Sequence, residues 1–188
     1  MQIALFGTSA DPPTRGHQEI LKWLSSHYAI VAVWAADNPF KGSQTPLEHR
    51  TAMLKLAIED LAKTNLKLYQ ELSDRRTLIS VQKAGFIFGK DANFTLVIGA
   101  DILQQITNWY QIEELLKLVQ LLIIPRPNYS ILEEDLERLR SLGGKLSIAQ
   151  LNTPAVSSTV YREQVEEEII PVLVRDYIKS YHLYNLSK

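Results

Sequence analysis

The chain has 188 residues, 46% of them hydrophobic and 22% charged, which is the size and balance of one soluble domain with a buried core. It has no cysteine, which excludes disulfides, thiolate metal sites and a cysteine nucleophile. A net charge of -1 excludes a general surface for a nucleic-acid polymer or a membrane, and with no apolar run near the ~20 residues that span a bilayer we expect a cytoplasmic protein.

The first half of the chain alternates short apolar runs with segments of helical spacing. The run AIVAVWAA, 29–36, is continuous and rich in β-branched residues, which is typical of a strand buried on both faces. Thr45-Pro46-Leu47-Glu48 reads as a capping box with proline at the first helical position. In chain order the predicted elements are strand 3–6, helix 16–26, strand 29–36, a helix from 45 to about 62, strand 66–68 and helix 77–86.

The second half continues the alternation. FTLVIGA, 94–100, predicts a buried strand that ends in glycine, and Ser130-Ile131-Leu132-Glu133 reads as a second capping box whose helix stops at Gly143-Gly144. In chain order the predicted elements are strand 94–100, helical spacing through 115–118, an apolar run 119–124 that stops at Pro125, a helix opened by Ser130, strand 146–148, and helices from about 157 and from 171.

Strands that alternate with helices and show little polar alternation indicate a parallel sheet covered on both faces. We therefore predict a single α/β domain over 1–188, with a doubly wound, mainly parallel sheet and helices on both faces. Ligands of such sheets bind beyond the carboxyl ends of the strands. The residues that directly follow each strand are then the candidates for function.

The loop after the first strand, Gly7 to His17, combines glycines, hydroxyl side chains and a histidine in the first helical turn. Such a loop can direct free backbone N–H groups at a phosphate, helped by the helix dipole. It matches neither G-x-G-x-x-G nor G-K-[ST]. On its own chemistry it is either a phosphate cradle or a polar turn with a capping histidine.

Two segments carry a resemblance to a known superfamily. GTSADPPTRGH, 7–17, resembles the first nucleotidyltransferase signature, G-x-[ST]-F-D-P-x-[HT]-x-G-H, and VSSTVYR, 156–162, resembles the second, I-S-S-T-x-[IV]-R. The residues that match the first signature are Gly7, Ser9, Asp11, Pro12, Thr14, Gly16 and His17. The resemblance implies the Rossmann-like nucleotidyltransferase fold.

The middle of the chain narrows the family. VIGADILQQITNWYQIEELLKL, 97–118, is similar to the corresponding segment of nicotinate-nucleotide adenylyltransferases, and PFK, 39–41, and IPRP, 124–127, occupy the places of that family's lysine and arginine turns. The resemblance implies adenylyl transfer from ATP to nicotinate mononucleotide, with Mg²⁺ arriving with the ATP and no metal bound by the protein. Another nucleotidyltransferase, using nicotinamide mononucleotide or phosphopantetheine, and a non-catalytic nucleotide sensor on the same fold both stay open. So does a homo-oligomeric state.

The family match implies a role for each candidate residue. His17, Thr14 and Arg162 are the catalytic candidates, with His17 and Thr14 donating to the triphosphate and Arg162 binding the outgoing phosphates. The expected ATP-binding residues are Gly7, Thr8, Ser9, Gly16, Asp101, Ser157, Ser158 and Thr159. The expected mononucleotide-binding residues are Lys41, Thr77, Trp109, Tyr110 and Arg126.

Several of these residues also have a simpler interpretation. We place Arg162 in the first turn of its helix, where the dipole disfavours a cation unless an anion binds, but it could instead be a solvated partner of Glu163 or Glu166. Asp101 could cap a helix, and Trp109 and Tyr110 could pack in the core. Arg50 is expected to pair with Glu48 on the surface of its helix.

The chain also departs from the family pattern. Thr8 stands where a second glycine is usual, Ala10 replaces phenylalanine, and Tyr161 replaces an aliphatic residue. RRTLISV, 75–81, keeps little beyond Thr77 of the family's S-Y-T-x-[DE]-T stretch. These differences put substrate contacts in question more than the nucleotide chemistry.

Overall fold

The computed structural model describes residues 1–37, 42, 44–89, 91–152, 154, 156–164 and 166–184. Within these residues six strands form one sheet, in the order β3-β2-β1-β4-β5-β6, and every neighbouring pair is parallel. The strands are β1 (Gln2–Thr8), β2 (Ile30–Ala35), β3 (Leu66–Leu68), β4 (Asn93–Gly99), β5 (Val119–Ile124) and β6 (Lys145–Ile148). The prediction of a doubly wound parallel sheet is confirmed.

Helices connect the strands and cover both faces of the sheet. They are α1 (Arg15–His27), α2 (Leu47–Glu59), α3 (Thr77–Phe88), α4 (Ile112–Leu118), α5 (Glu133–Ser141), α6 (Ser158–Gln164) and α7 (Val172–Ser180). Short 3-10 turns lie at Gln70–Leu72, Ala100–Ile102, Ile106–Asn108 and Glu167–Ile169. No helix among these described residues is long and apolar enough to cross a membrane.

The sheet is buried on both faces because its strands are apolar at successive positions. In β1, Ile3 and Leu5 pack into one hydrophobic cluster, while Ala4 and Phe6 pack into the cluster on the opposite face. Each of the two clusters is closed by helices, which is the arrangement expected of a parallel sheet. The continuous apolar runs in the sequence are explained by this double burial.

A third cluster joins α2 to the C-terminal helices, and Tyr161 lies at its centre. The Tyr161 side chain is completely buried, and its ring meets that of Tyr184 edge to face at 5.9 Å. Its hydroxyl has no hydrogen-bond partner among the described residues, and burial raises the pKa of that hydroxyl. The replacement of an aliphatic residue by Tyr161 therefore changes the core rather than a substrate contact.

Both predicted capping boxes are wrong. Helix α2 begins at Leu47 and α5 at Glu133, so Thr45 and Ser130 lie before the helices and cap neither. Thr45 donates its backbone N–H to Asp11 instead, at 3.2 Å, and its carbonyl accepts from Arg50 at 2.8 Å. The expected glycine stop of α5 is confirmed, because Gly143 (φ +89°) and Gly144 donate to the carbonyls of Arg140 and Leu139.

Candidate functional site

A cleft of about 1030 Å³ lies at the carboxyl ends of β1, β2, β4 and β5. The strand order reverses between β1 and β4, and this reversal opens a crevice where ligands of doubly wound sheets bind. The predicted residues that line the cleft are Gly7, Thr8, Ser9, His17, Thr77, Asp101, Trp109, Tyr110, Arg126, Ser157, Ser158, Thr159 and Arg162. Thr14 and Gly16 do not line it, and Lys41 lies outside the described residues.

His17 is held at the start of α1 by Thr14. The Thr14 backbone N–H donates to Nδ1 of His17 at 3.1 Å, and Thr14 Oγ1 lies 3.0 Å from the same nitrogen. Because a backbone N–H can only donate, Nδ1 is the acceptor and the neutral ring carries its proton on Nε2. Thr14 is completely buried, and its two contacts orient His17; its expected bond to the triphosphate stays a prediction.

The two glycines of the first loop serve close packing. A Cβ at Gly7 would lie 2.6 Å from the Trp34 ring, so only glycine lets this indole close the end of β1. A Cβ at Gly16 would lie 3.2 Å from the backbone carbonyl of Val156. Gly16 therefore lets the second signature segment pack against α1, and its expected contact with ATP stays a prediction.

The two signature segments, about 150 residues apart in sequence, are joined by hydrogen bonds. Ser158 Oγ donates to the carbonyl of Pro12 at 2.8 Å, and the Arg162 guanidinium donates to the carbonyl of Asp11. Arg162 also donates to Thr159 Oγ1 at 3.2 Å. These contacts place Arg162 beside the first loop, facing the cleft.

The expected position of Arg162 in the first helical turn is wrong. Helix α6 spans only Ser158–Gln164, so Arg162 lies in its last turn, where the dipole favours a cation. Ser157 precedes the helix and accepts the N–H of Val160 on its side-chain oxygen. Arg162 is oriented by its bonds to the first loop, with no ion pair to Glu163 or Glu166 among the described residues.

Arg50 is a buried residue that holds together the loops around the cleft. It is only 2% exposed and donates to the carbonyls of Ser9 at 3.0 Å, Ala36 at 2.7 Å and Thr45 at 2.8 Å. Burial lowers the pKa of this guanidinium, although the nearby carboxylates oppose the change. The expected surface pair with Glu48 is wrong, because Arg50 instead ties the loops that follow β1 and β2.

Asp11 anchors the first loop to the C-terminal end of the chain. Its buried carboxylate accepts from the Tyr184 hydroxyl at 2.7 Å and from the Thr45 N–H at 3.2 Å. Burial and the Asp11 charge raise the pKa of Tyr184 far above its ordinary value. The sequence analysis did not assign Tyr184 any role, since its contact with Asp11 spans 173 positions.

Asp101 and Arg126 form an ion pair at the ends of β4 and β5. Arg126 Nη1 lies 2.9 Å from Asp101 Oδ2; the Arg126 side chain is about one third exposed and that of Asp101 about one quarter. A Cβ at Gly99 would lie 2.3 Å from Asp101 Oδ1, so Gly99 makes room for the pair. The two residues, predicted to contact different substrates, are direct neighbours in the cleft.

Aromatic and cationic side chains form one wall of the cleft. Trp109 is half-buried against the core and lines the cleft, and Tyr110 is 45% exposed beside it. The Arg76 guanidinium lies 4.4 Å from the centre of the Tyr110 ring, within the range of a cation–π contact. Thr77 is the first residue of α3 and also lines the cleft.

Sequence reasoning missed several residues of this wall. Arg75 and Arg76 line the cleft, and Arg75 Nε pairs with Asp37 Oδ2 at 3.0 Å. These two arginines could have been predicted as site residues from the sequence. They lie between a predicted strand and a predicted helix, which places them at the carboxyl edge of a parallel sheet. RRTLISV departs from the family pattern, and the same departure introduces these two cations.

Known proteins resemble this chain over nearly its whole length. Residues 5–164 match the family model described as cytidylyltransferase-like. A protein of Synechocystis named a probable nicotinate-nucleotide adenylyltransferase is 47% identical, covering 98% of this chain and 99% of its own. The Bacillus subtilis nicotinate-nucleotide adenylyltransferase is 28% identical, covering 97% and 98% of the two chains.

A solved structure supports the fold. The Plasmodium falciparum nicotinic acid mononucleotide adenylyltransferase, in complex with NaAD, superposes with a TM-score of 0.83 over 99% of this chain and 98% of its own, at 22% identity. At that identity the likeness establishes the Rossmann-like nucleotidyltransferase fold.

Proposed function

This chain belongs to the cytidylyltransferase-like family and to its nicotinate-nucleotide adenylyltransferases, and we propose that it transfers the adenylyl group of ATP to nicotinate mononucleotide. The products are nicotinate adenine dinucleotide and pyrophosphate, a step of NAD biosynthesis. The observation that carries the proposal is the joining of the two signature segments at one cleft, through the bonds of Ser158 and Arg162 to the first loop.

The chemistry needs no general base. A phosphate oxygen of the mononucleotide, already anionic at neutral pH, attacks the α-phosphorus of ATP in line. One P–O bond forms, the bond to the β-phosphate oxygen breaks, and pyrophosphate leaves with its electron pair. Catalysis is therefore positioning of two polyanions and stabilisation of the charge on the transferring and leaving groups.

His17 and the segment 157–162 supply that stabilisation. Because Nδ1 of His17 accepts a hydrogen bond from Thr14, the proton of the neutral ring is on Nε2. The Nε2–H group of His17 is therefore the one that donates to a phosphate oxygen. The first N–H groups of α6, at Ser158 and Thr159, have no partner within the helix and are suited to an anion. Arg162 adds the positive charge for the leaving pyrophosphate, and Mg²⁺ enters as part of the MgATP substrate.

The cleft divides between the two substrates. We expect ATP to bind at Gly7, Thr8, Ser9 and Asp101, and the mononucleotide to bind at Thr77, Trp109, Tyr110 and Arg126. Because Asp101 and Arg126 are ion-paired, the two subsites adjoin at this pair. The indole of Trp109 offers a flat apolar face to the pyridinium ring, which cation–π attraction stabilises further. Lys41, on the loop after β2, is the expected partner of the attacking phosphate and stays a prediction.

A pyrophosphate-release assay over a panel of acceptors tests the proposal. The panel contains nicotinate mononucleotide, nicotinamide mononucleotide and phosphopantetheine, each with MgATP. We expect the highest kcat/KM with nicotinate mononucleotide, and no turnover with it would contradict the proposal. ATP binding without turnover of any acceptor would instead support a nucleotide sensor. A cytoplasmic location remains a prediction from the sequence.

A further inference from the structure

We propose that Arg76 is the specificity residue that binds the carboxylate of the pyridine ring and so favours nicotinate over nicotinamide mononucleotide. The inference rests on the proposed function and deepens it. The cations of the cleft differ in whether their side chains already have an acceptor within the protein.

Three of the arginines that line the cleft are already paired. Arg75 Nε lies 3.0 Å from Asp37, Arg126 lies 2.9 Å from Asp101, and Arg162 donates to the Asp11 carbonyl and to Thr159. Among the residues that the structure describes, Arg76 has no carboxylate within ion-pair distance and no acceptor for its guanidinium N–H groups. Its donors are the ones available to a ligand anion.

Arg76 is nevertheless held in place. Its backbone N–H donates to Asp74 Oδ1 at 3.1 Å, which holds the pKa of that carboxyl below its usual range, and Asp74 is in turn bound by Lys83 at 3.3 Å. The guanidinium rests on the Tyr110 ring at 4.4 Å. A guanidinium fixed at both its backbone and its planar face loses little conformational entropy when it binds.

The neighbourhood of Arg76 matches the shape and charge of the nicotinate ring. Tyr110 packs against the guanidinium, and its neighbour in sequence, Trp109, lines the same cleft. A flat ring that packs on these aromatic side chains would bring its substituent near the guanidinium. A carboxylate accepts two parallel N–H bonds from arginine, whereas the carboxamide of nicotinamide offers one neutral oxygen. The geometry therefore fits an aromatic carboxylate.

The positive charge of Arg76 also disfavours nicotinamide mononucleotide. The ring of nicotinate mononucleotide carries a positive nitrogen and a negative carboxylate, while the ring of nicotinamide mononucleotide keeps the positive charge alone. A guanidinium beside the ring attracts the first through its carboxylate and repels the second. Selectivity by repulsion of the wrong substrate as well as attraction of the right one is common in specific sites.

The test compares kcat/KM for the two mononucleotides, with MgATP saturating, in the wild type and in Arg76→Gln. We expect Arg76→Gln to lower kcat/KM for nicotinate mononucleotide about 10- to 100-fold, the usual effect of losing a hydrogen-bonded charge. For nicotinamide mononucleotide the value should not fall, since a repulsive charge is removed. Arg76→Lys, which keeps the charge but loses the planar fork, should recover part of the preference.

Arg75→Gln is the matched control, because it removes an adjacent cleft arginine that is paired with Asp37. The ratio of the two kcat/KM values should be unchanged in Arg75→Gln. Calorimetric titration of each mononucleotide, with thermal melting of each variant, separates lost binding from lost folding. An equal loss for both mononucleotides in Arg76→Gln, or no loss for either, would overturn the proposal, whereas failure of the wild type on nicotinate mononucleotide would overturn the proposed function itself.

Discussion

The backbone N–H of Thr14 donates to Nδ1 of His17 across 3.1 Å, and this one bond decides which ring nitrogen of His17 carries the proton. The bond closes the first turn of α1, in the way that a capping box uses glutamate or glutamine at the same position. A histidine at this position caps the helix through Nδ1, and its second ring nitrogen, Nε2, is then the one that carries the proton.

Replacing His17 by alanine should lower turnover by about 10²–10³, the usual effect of removing one donor to transition-state charge. The fold should persist, because α1 keeps its buried apolar face. Steady-state rates of pyrophosphate release, with thermal melting to confirm folding, measure this. Thr14→Ser keeps both contacts to Nδ1 and serves as the control. Turnover like that of the wild type in His17→Ala would refute its role.

Arg50→Lys should destabilise the protein and weaken catalysis although it keeps the charge. Arg50 reaches the three carbonyls of Ser9, Ala36 and Thr45 from two separate nitrogens, Nε and Nη1, whereas lysine would have to donate from one. We therefore expect a loss of about 2 kcal/mol in the free energy of unfolding. Denaturant unfolding and KM for ATP are the measurements. Arg15→Lys, which concerns an exposed arginine with one bond to the Glu168 carbonyl, is the matched control. Equal stability of the two variants would argue against this role of Arg50.

Trp109→Ala should raise KM for nicotinate mononucleotide far more than KM for ATP. The indole lines the cleft and is proposed to pack on the pyridine ring, and losing a stacked ring contact typically costs ~1–3 kcal/mol. Trp23→Ala removes an indole that stacks on His27, outside the cleft, and should leave both KM values unchanged. Equal rises in both values for Trp109→Ala would mean that this side chain is structural.

Tyr184→Phe should loosen the first loop without removing any group that lines the cleft. It deprives Asp11 of its 2.7 Å hydrogen bond, and one lost bond to a buried charged group costs about 1–3 kcal/mol. We expect a lower Tm and a higher KM for ATP with little change in kcat. Tyr129→Phe, at an exposed residue, is the control. An unchanged Tm would contradict the anchoring role.

The same contact predicts a loss of stability at high pH. The pKa of Tyr184 is raised in the folded protein, so above the ordinary value of about 10 the unfolded chain releases a proton that the folded chain retains. This contribution is complete below pH ~10 and is lost as the pH rises beyond it. Denaturant unfolding from pH 8 to pH 11 should show a decline that is shallower in Tyr184→Phe. Identical slopes would show that the tyrosine does not retain its proton.

The local sequence pattern was enough to predict most of the strands and helices. Burial on both faces of a parallel sheet produces continuous apolar runs in the sequence. Strand 66–68 was predicted to the residue, and the run 119–124 is β5. Helix starts were less predictable. Thr45 and Ser130 have capping side chains in the right spacing, but Thr45 makes its backbone bonds to Asp11 and Arg50. At Thr45, a contact with a residue far away in the sequence determines whether a local capping pattern forms a helix cap.

The sequence by itself determined the fold class, the superfamily and the position of the cleft, since periodicity and the two signature segments are local properties. Tertiary structure alone decided what each side chain does within it. Gly16 packs against Val156, and Arg162 donates to the Asp11 carbonyl, both through contacts across the fold. The physical reason is that hydrogen bonds and close packing depend on distances in space, which spacing along the chain does not encode. Arg76 is the sharpest case, because only its place over Tyr110, without a carboxylate partner among the described residues, distinguishes it from Arg75.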